Sequence, residues 1–191
     1  MAATPDIFPA GPEHSRQIAE LYWMAAGGVA DYLWTGLAKA GEGLLDVGER
    51  RFRRSGEAFS FKNCTMAAVD GTVAGMLHAF PMTEATDPDD DFGPVLRPFA
   101  ELEDEPSLYI AGIACYPDRR GQGIGQALLA AFAARYAAAA MPAQSLIAFE
   151  ANAASVRLYE RFGFATVDRR AIVPHELIHY SGDALLMVRA N

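Results

Sequence analysis

Residues 108–125 read LYIAGIACYPDRRGQGIG, an apolar run that meets Tyr116-Pro117 and then glycines at 121, 123 and 125. A run with no polar face is expected as a strand buried on both sides. Beyond Gly125, Leu128, Leu129, Phe132 and Tyr136 fall on one face of a helix. Strand, glycine turn and helix in that order bring backbone N–H groups to one point, where the helix dipole also favours negative charge. Glycine suits the turn because Cβ atoms would obstruct a phosphate approaching the backbone. No Gly-Lys-Ser/Thr follows, so this is not a nucleoside-triphosphate loop, and the third glycine of a dinucleotide fingerprint is missing at its spacing. On this segment alone, a glycine-rich turn without a ligand is the alternative.

The rest of the chain supplies elements for one α/β domain. A short strand around Ile7 leads through Gly11-Pro12 into a helix with Ile18, Leu21, Tyr22 and Ala25 on one face, ended by Gly27-Gly28. A second helix is expected from about Leu44 to Ser55, where Arg50, Arg51, Arg53 and Arg54 read as a solvated face. Thr65–Val69, Asp70-Gly71 and Thr72–Phe80 spell a β-hairpin. After the glycine turn, Met141-Pro142 stops the alanine-rich helix. Strands follow at Ser145–Phe149, from Phe164 and at Ala184–Val188, with a helix over Ser155–Phe162 closed by Gly163. No internal repeat and no linker interrupts residues 1–191.

Charge narrows the partners. The chain has 24 acidic and 16 basic residues, a net charge of -8 that would repel nucleic acid and anionic membranes. All of that excess sits in residues 84–105, where nine acids face the single base Arg97; elsewhere acids and bases cancel. With Pro88, Pro94 and Pro98 inside it and Pro106 just after it, the stretch reads as a surface insertion at about 81–107. Two cysteines, Cys64 and Cys115, make no disulfide framework and fit a reducing compartment. With no apolar run approaching a membrane span and no secretory leader pattern at the N-terminus, the expectation is a cytoplasmic protein.

Two motifs point to chemistry. Arg120-x-x-Gly123-x-Gly125 resembles the acetyl-CoA motif of the GNAT superfamily of acetyl-CoA-dependent N-acetyltransferases. Starting 27 residues after Gly125, Asn152-Ala153-Ala154-Ser155-Val156-Arg157-Leu158-Tyr159-Glu160-Arg161-Phe162-Gly163-Phe164 is similar to that family's second motif. The resemblance is clear from Thr65 onward and weaker over the first 64 residues. It implies a mixed, mostly antiparallel central sheet flanked by helices. In that fold the strand before the glycine turn splays from the next, parallel strand to admit the pantetheine arm. Backbone groups of Ile113 and Cys115 would pair with pantetheine, and the Cys115 N–H would serve the oxyanion. Arg120 and the N–H groups of Gly121, Gln122, Gly123, Ile124, Gly125 and Gln126 would hold the pyrophosphate. Asn152 would bond the pantetheine arm or cap its helix. Tyr159 would protonate the departing thiolate, with core packing as its plainer use. A thiol nucleophile at Cys115 is not required.

The implied reaction is direct attack of a primary amine on acetyl-CoA, and such domains often pair as homodimers. A CoA-binding module that lacks catalysis and works through partners is the other class. The strand before the glycine turn offers no carboxylate as general base. Glu150 is the first candidate, with His78, His175 and acids of the insertion behind it. Lying ahead of the splayed strand, the insertion would attract a cationic amine, or else serve as a solvated loop. Finally, His175-Glu176-Leu177-Ile178-His179 spells the H-E-x-x-H zinc signature. Pro174 before it and Ser181-Gly182 after it argue for a loop in the wall of the acceptor site, so no metal is expected.

Overall fold

A computed structural model describes residues 4–83, 93–136 and 141–190, apart from the side chains of Arg135 and Tyr136. Glu84, Asp87, Asp89, Asp90 and Asp91 of the acidic stretch lie outside the described residues, as does the Tyr136 side chain. The strands are β1 (Asp6–Pro9), β2 (Cys64–Val69), β3 (Thr72–Met82), β4 (Ser107–Cys115), β5 (Ala143–Phe149), β6 (Ala165–Ala171) and β7 (Asp183–Ala190). The helices are α1 (Ser15–Ala25), α2 (Val29–Leu37), α3 (Leu44–Phe52), α4 (Gly93–Ala100), α5 (Ile124–Tyr136) and α6 (Ala153–Arg161). The strands form one mixed sheet in the order β1-β2-β3-β4-β5-β7-β6. Its parallel pair is β4 with β5, over Leu108↔Gln144 to Ile110↔Leu146, whereas β1-β2, β2-β3, β5-β7 and β6-β7 run antiparallel. This is the mixed, mostly antiparallel sheet flanked by helices that the motifs imply. No helix among the described residues is long and apolar enough to cross a membrane.

The chain divides into two compact units. The first comprises Met1–Ala26, Ala30–Ala79 and Gly112–Ala139. Its β2-β3 hairpin closes on Asp70 and Gly71 at φ 51° and 74°, the left-handed pair that an Asp-Gly turn supplies. The periodic residues Ile18, Leu21 and Tyr22 of α1 are buried, and Ile124, Leu128, Leu129 and Phe132 of α5 are buried on the helix that packs on β1 and β2. Tyr22 lies at the centre of an aromatic cluster, with ring centroids of Phe52, Phe59, His78 and Trp34 at 5.4, 5.5, 6.0 and 6.2 Å. Burial pushes the Tyr22 hydroxyl up to about 12. The Arg50, Arg53 and Arg54 side chains on and just after α3 pair with Glu42, Glu49 and Glu57 on the surface, as a solvated face does. Arg51 instead lies over the Phe59 ring, 5.3 Å from its centroid.

The second unit comprises Gly27–Val29, Phe80–Ala111 and Ala140–Asn191. Its core gathers Leu102, Ile172, Ala184 and Leu186, with Phe99, Phe149, Ile178 and Tyr180 packed against them. The Ser107 and Ser145 hydroxyls meet at 2.6 Å; because Ser107 donates to the Asp104 carbonyl, Ser145 donates to Ser107. The segment around Gly27-Gly28 is seated on the β6-β7 loop. His179 donates its N–H to the Gly27 carbonyl at 2.9 Å, and Tyr180 stacks on Phe149 at 4.5 Å.

Three expectations change. Strand β4 is buried only at Ser107, Leu108 and Ile110, and is half-buried from Ala111 to Cys115. Its described pairing with β5 stops at Ile110, and Ala111, Gly112 and Ala114 carry too little side chain to cover the backbone. The acidic stretch is not all loop, because Val95, Pro98 and Leu102 are buried at helical spacing and fold 93–100 into α4, against β6. Helix α2 has no counterpart in the sequence reading, since Asp31 occupies its buried face where an apolar residue is expected.

Two tests follow from this packing. A Cβ on Gly28 would stand 1.9 Å from the Leu177 carbonyl oxygen, at a φ of +96° that L residues avoid. Gly28→Ala should cost about 2 kcal/mol or more in urea unfolding, whereas Gly36→Ala, in open space on α2, should be neutral or stabilising by up to about 1 kcal/mol. Equal effects would refute the contact. Burial lowers the His78 imidazole to about 4 from its usual 6.5, against an opposing hydrogen bond with the Ala58 carbonyl. The unfolded chain therefore binds the extra proton first, so stability is full above pH 6.5 and falls by about 3 kcal/mol as pH drops toward 4. His78→Gln should flatten that slope; an unchanged slope in variant and parent would assign the acid sensitivity elsewhere.

Candidate active site

In the first unit, β4 delivers the chain through a 3-10 turn at Pro117–Arg119 into the glycine turn and α5. Gly121 and Gly123 adopt φ of +74° and +80°. A Cβ on Gly121 would meet nothing within 4 Å, and one on Gly123 would meet only Gln126 Oε1 at 4.0 Å. Backbone conformation, rather than crowding within the chain, therefore calls for glycine here, and the space beside these amides is open. The first α-helical bond of α5 runs from the Ala127 N–H to the Gly123 carbonyl at 3.0 Å. Among the described residues, the N–H groups of Gly121, Gln122, Gly123 and Ile124 reach no backbone carbonyl. Open space bounded by unpaired amides at the N-terminus of a 13-residue helix suits a pyrophosphate.

Cys115 closes the base of this turn. Its sulfur accepts from the Gly125 N–H, and its carbonyl accepts from Arg120 Nε at 3.5 Å. Burial pushes the thiol up, against the opposing pull of Arg120 and the Gly125 amide, so it stays a neutral thiol at physiological pH. Ile113 and Cys115 are half-buried on the part of β4 that follows its pairing with β5. The β3 backbone crowds this end, since a Cβ on Gly75 would stand 2.8 Å from the Ala114 carbonyl oxygen. The next residue, Tyr116, fixes the strand end twice. Its N–H donates to the Ala74 carbonyl at 3.0 Å, and its hydroxyl to Glu20 Oε2 at 2.7 Å. Burial first, then the Glu20 carboxylate, holds the Tyr116 phenol protonated. The sequence offered no sign of this pair, because Glu20 and Tyr116 lie 96 residues apart.

In the second unit, Asn152 caps α6, its Oδ1 accepting from the Ser155 N–H at 3.3 Å. Tyr159 is 8% exposed, edge-on to Phe164 with centroids 6.2 Å apart. Burial raises its hydroxyl above the usual 10, so it is a neutral phenol able to donate a proton or hydrogen bond. Glu150 follows β5 on the exposed surface, its Oε1 3.3 Å from Arg169 Nη1 and its N–H on the Asp183 carbonyl at 2.9 Å. Glu150, Asn152 and Tyr159 thus all belong to one unit. Of the remaining base candidates, His78 is fully enclosed in the aromatic cluster. His175 accepts from the Leu177 N–H at 3.2 Å within the β6-β7 loop. There the H-E-x-x-H residues form a turn rather than a helix, so the shared helical face that zinc chemistry needs is not made.

Comparison with known proteins bears on the family and the fold. Residues 32–164 match the model of the acetyltransferase (GNAT) family. No curated protein matches the chain in sequence. An N-acetyltransferase from Staphylococcus aureus Mu50 is similar in structure, with a TM-score of 0.66 and 19% identity over 96% of this chain and 99% of that one. A polyamine N-acetyltransferase from Drosophila melanogaster gives a TM-score of 0.69 and 16% identity over 98% of this chain and 100% of that one. The protein yncA from Salmonella typhimurium, solved with its cofactor acetyl-CoA, gives a TM-score of 0.63 and 15% identity over 98% and 94%. These likenesses are of fold. The family match covers well over half of the chain and includes its glycine turn, which makes this protein a member of the GNAT acetyltransferase family and an acyltransferase.

Proposed function

We propose that the protein transfers the acetyl group of acetyl-CoA to a primary amine by direct attack, without an acetylated enzyme. The observation that carries this reading is the glycine turn, whose open space and unpaired amides fit the pyrophosphate of a CoA ester. Acetyl-CoA supplies an activated thioester, and the chain supplies position and protons. Gly121, Gln122, Gly123, Ile124, Gln126 and Arg120 hold the pyrophosphate, while the Gly125 N–H is taken up by the Cys115 sulfur. The half-covered backbone of Ile113 and Cys115 pairs with pantetheine, and the Cys115 N–H donates to the thioester oxygen as charge develops there. The thiol itself, kept neutral by burial, takes no part.

Asn152 bonds the pantetheine arm with its side-chain N–H, since its Oδ1 is already engaged in the helix cap. Tyr159 donates its hydroxyl proton to the departing sulfur. Glu150 receives the proton of the attacking ammonium; its place on the exposed end of β5 gives it solvent to pass that proton on. The Drosophila neighbour forms N-acetylagmatine, and a primary amine acceptor belongs to the same broad class. A cytoplasmic setting would keep Cys64 and Cys115 as the free thiols they are here.

A CoA-release assay over primary amines, amino acids and peptide N-termini tests the reaction. Turnover on at least one is expected; acetyl-CoA binding with no turnover on any would defeat the amine reading. Tyr159→Phe should lower kcat about tenfold or more, in the range typical of a lost general acid, with acetyl-CoA affinity little changed. An unchanged kcat would remove Tyr159 from the chemistry.

A further inference from the structure

Asp31 departs from the pattern of its own helix. It lies in the first turn of α2, among the buried residues Ala30 and Trp34, and is only 8% exposed. Its Oδ2 is shut from solvent and has no hydrogen-bond partner. The Thr35 hydroxyl, one turn along, donates to the Asp31 backbone carbonyl at 2.7 Å. Among the described residues the cations of α1 and α3 are directed elsewhere, although the buried Arg51 Nε has no hydrogen-bond partner of its own. Arg16 reaches Asp46 at 2.6 Å, Arg50 reaches Glu42 at 2.8 Å, Arg53 reaches Glu49 at 2.6 Å, and Arg51 lies over Phe59. Burying a carboxylate oxygen without a donor is unfavourable, and such local violations concentrate where a protein works.

The surroundings select the missing partner. Trp34 lies one turn along from Asp31 among the buried residues of α2, and its ring centroid is 6.2 Å from that of Tyr22. Aromatic rings attract cations and tolerate alkyl chains. The Tyr22 ring in turn lies on β4, where a Cβ on Gly112 would stand 3.2 Å from it, and Gly112 precedes Ile113. Contacts thus run from the buried face of α2 through two buried aromatic rings to the half of β4 proposed to hold the thioester arm. An amine that attacks a thioester must be neutral, whereas an unpartnered carboxylate calls for a cation. The group at Asp31 is therefore not the reacting amine.

We infer that Asp31 anchors a second, non-reacting ammonium of the acceptor, which makes the substrate class alkyl diamines rather than monoamines. This rests on the proposed acetylation of a primary amine. The test compares 1,4-diaminobutane with butylamine, using the full chain and its Asp31→Asn and Asp31→Glu variants, by CoA release and by calorimetric titration of each amine. The parent should favour the diamine at least tenfold in kcat/KM. Asp31→Asn should lose that preference with the KM for acetyl-CoA unchanged and the melting temperature equal or higher. Asp31→Glu should restore part of the preference. Diamine binding that weakens in Asp31→Asn supports the anchor even if neither amine turns over, a result that would count against the reaction and not the site. A preference or a diamine affinity that survives in Asp31→Asn overturns the inference, as does a parent that neither binds nor prefers the diamine.

Discussion

The structure turns on a few backbone amides that α5 cannot satisfy. A helix leaves its first N–H groups without internal partners, and here the chain enters that helix from a strand through two glycines with positive φ. Side chains are thereby kept off the turn, and the space beside Gly121 stays open. The surrounding packing serves to hold this turn still. The buried row Ile124, Leu128, Leu129 and Phe132 seats α5 on β1 and β2, and the Ala74 carbonyl and Glu20 fix Tyr116 at the end of β4. The pyrophosphate site proposed above therefore rests on backbone geometry, with the Arg120 side chain beside it.

Burial sets the protonation states of the groups nearby. Tyr159 and Cys115 both stay neutral because taking their charged forms out of water is unfavourable. A neutral phenol can give a proton, whereas a neutral thiol is a poor nucleophile, so the same physical effect leaves one group able to donate and the other unreactive. Asp31 stands apart, as a buried carboxylate to which no side chain of the described residues donates.

Much of this was legible beforehand, for identifiable reasons. The Asp70-Gly71 hairpin, the periodic face of α1, the glycine turn and the Asn152 cap depend on residues within a few positions of one another, so their signals survive in one dimension. Helix α2 escaped because Asp31 interrupts the apolar period on its buried face. The α4 helix escaped because nine acids and three prolines in residues 84–105 mask the helical spacing of Val95, Pro98 and Leu102. The H-E-x-x-H string had correct spacing, but its neighbours Pro174 and Gly182 signalled the loop that the structure has.

The sequence by itself pointed to the family, the order of the strands and the glycine turn, because these rest on local backbone conformation and on spacing within single elements. Only the tertiary structure decided how far β4 is covered, which hydroxyl meets Glu20, that Gly27-Gly28 is seated on the β6-β7 loop, and that Asp31 is buried without a donor. Each of these depends on contacts between residues distant in the chain, or on burial, which is a sum over all neighbours. Neither quantity is written in any short run of residues.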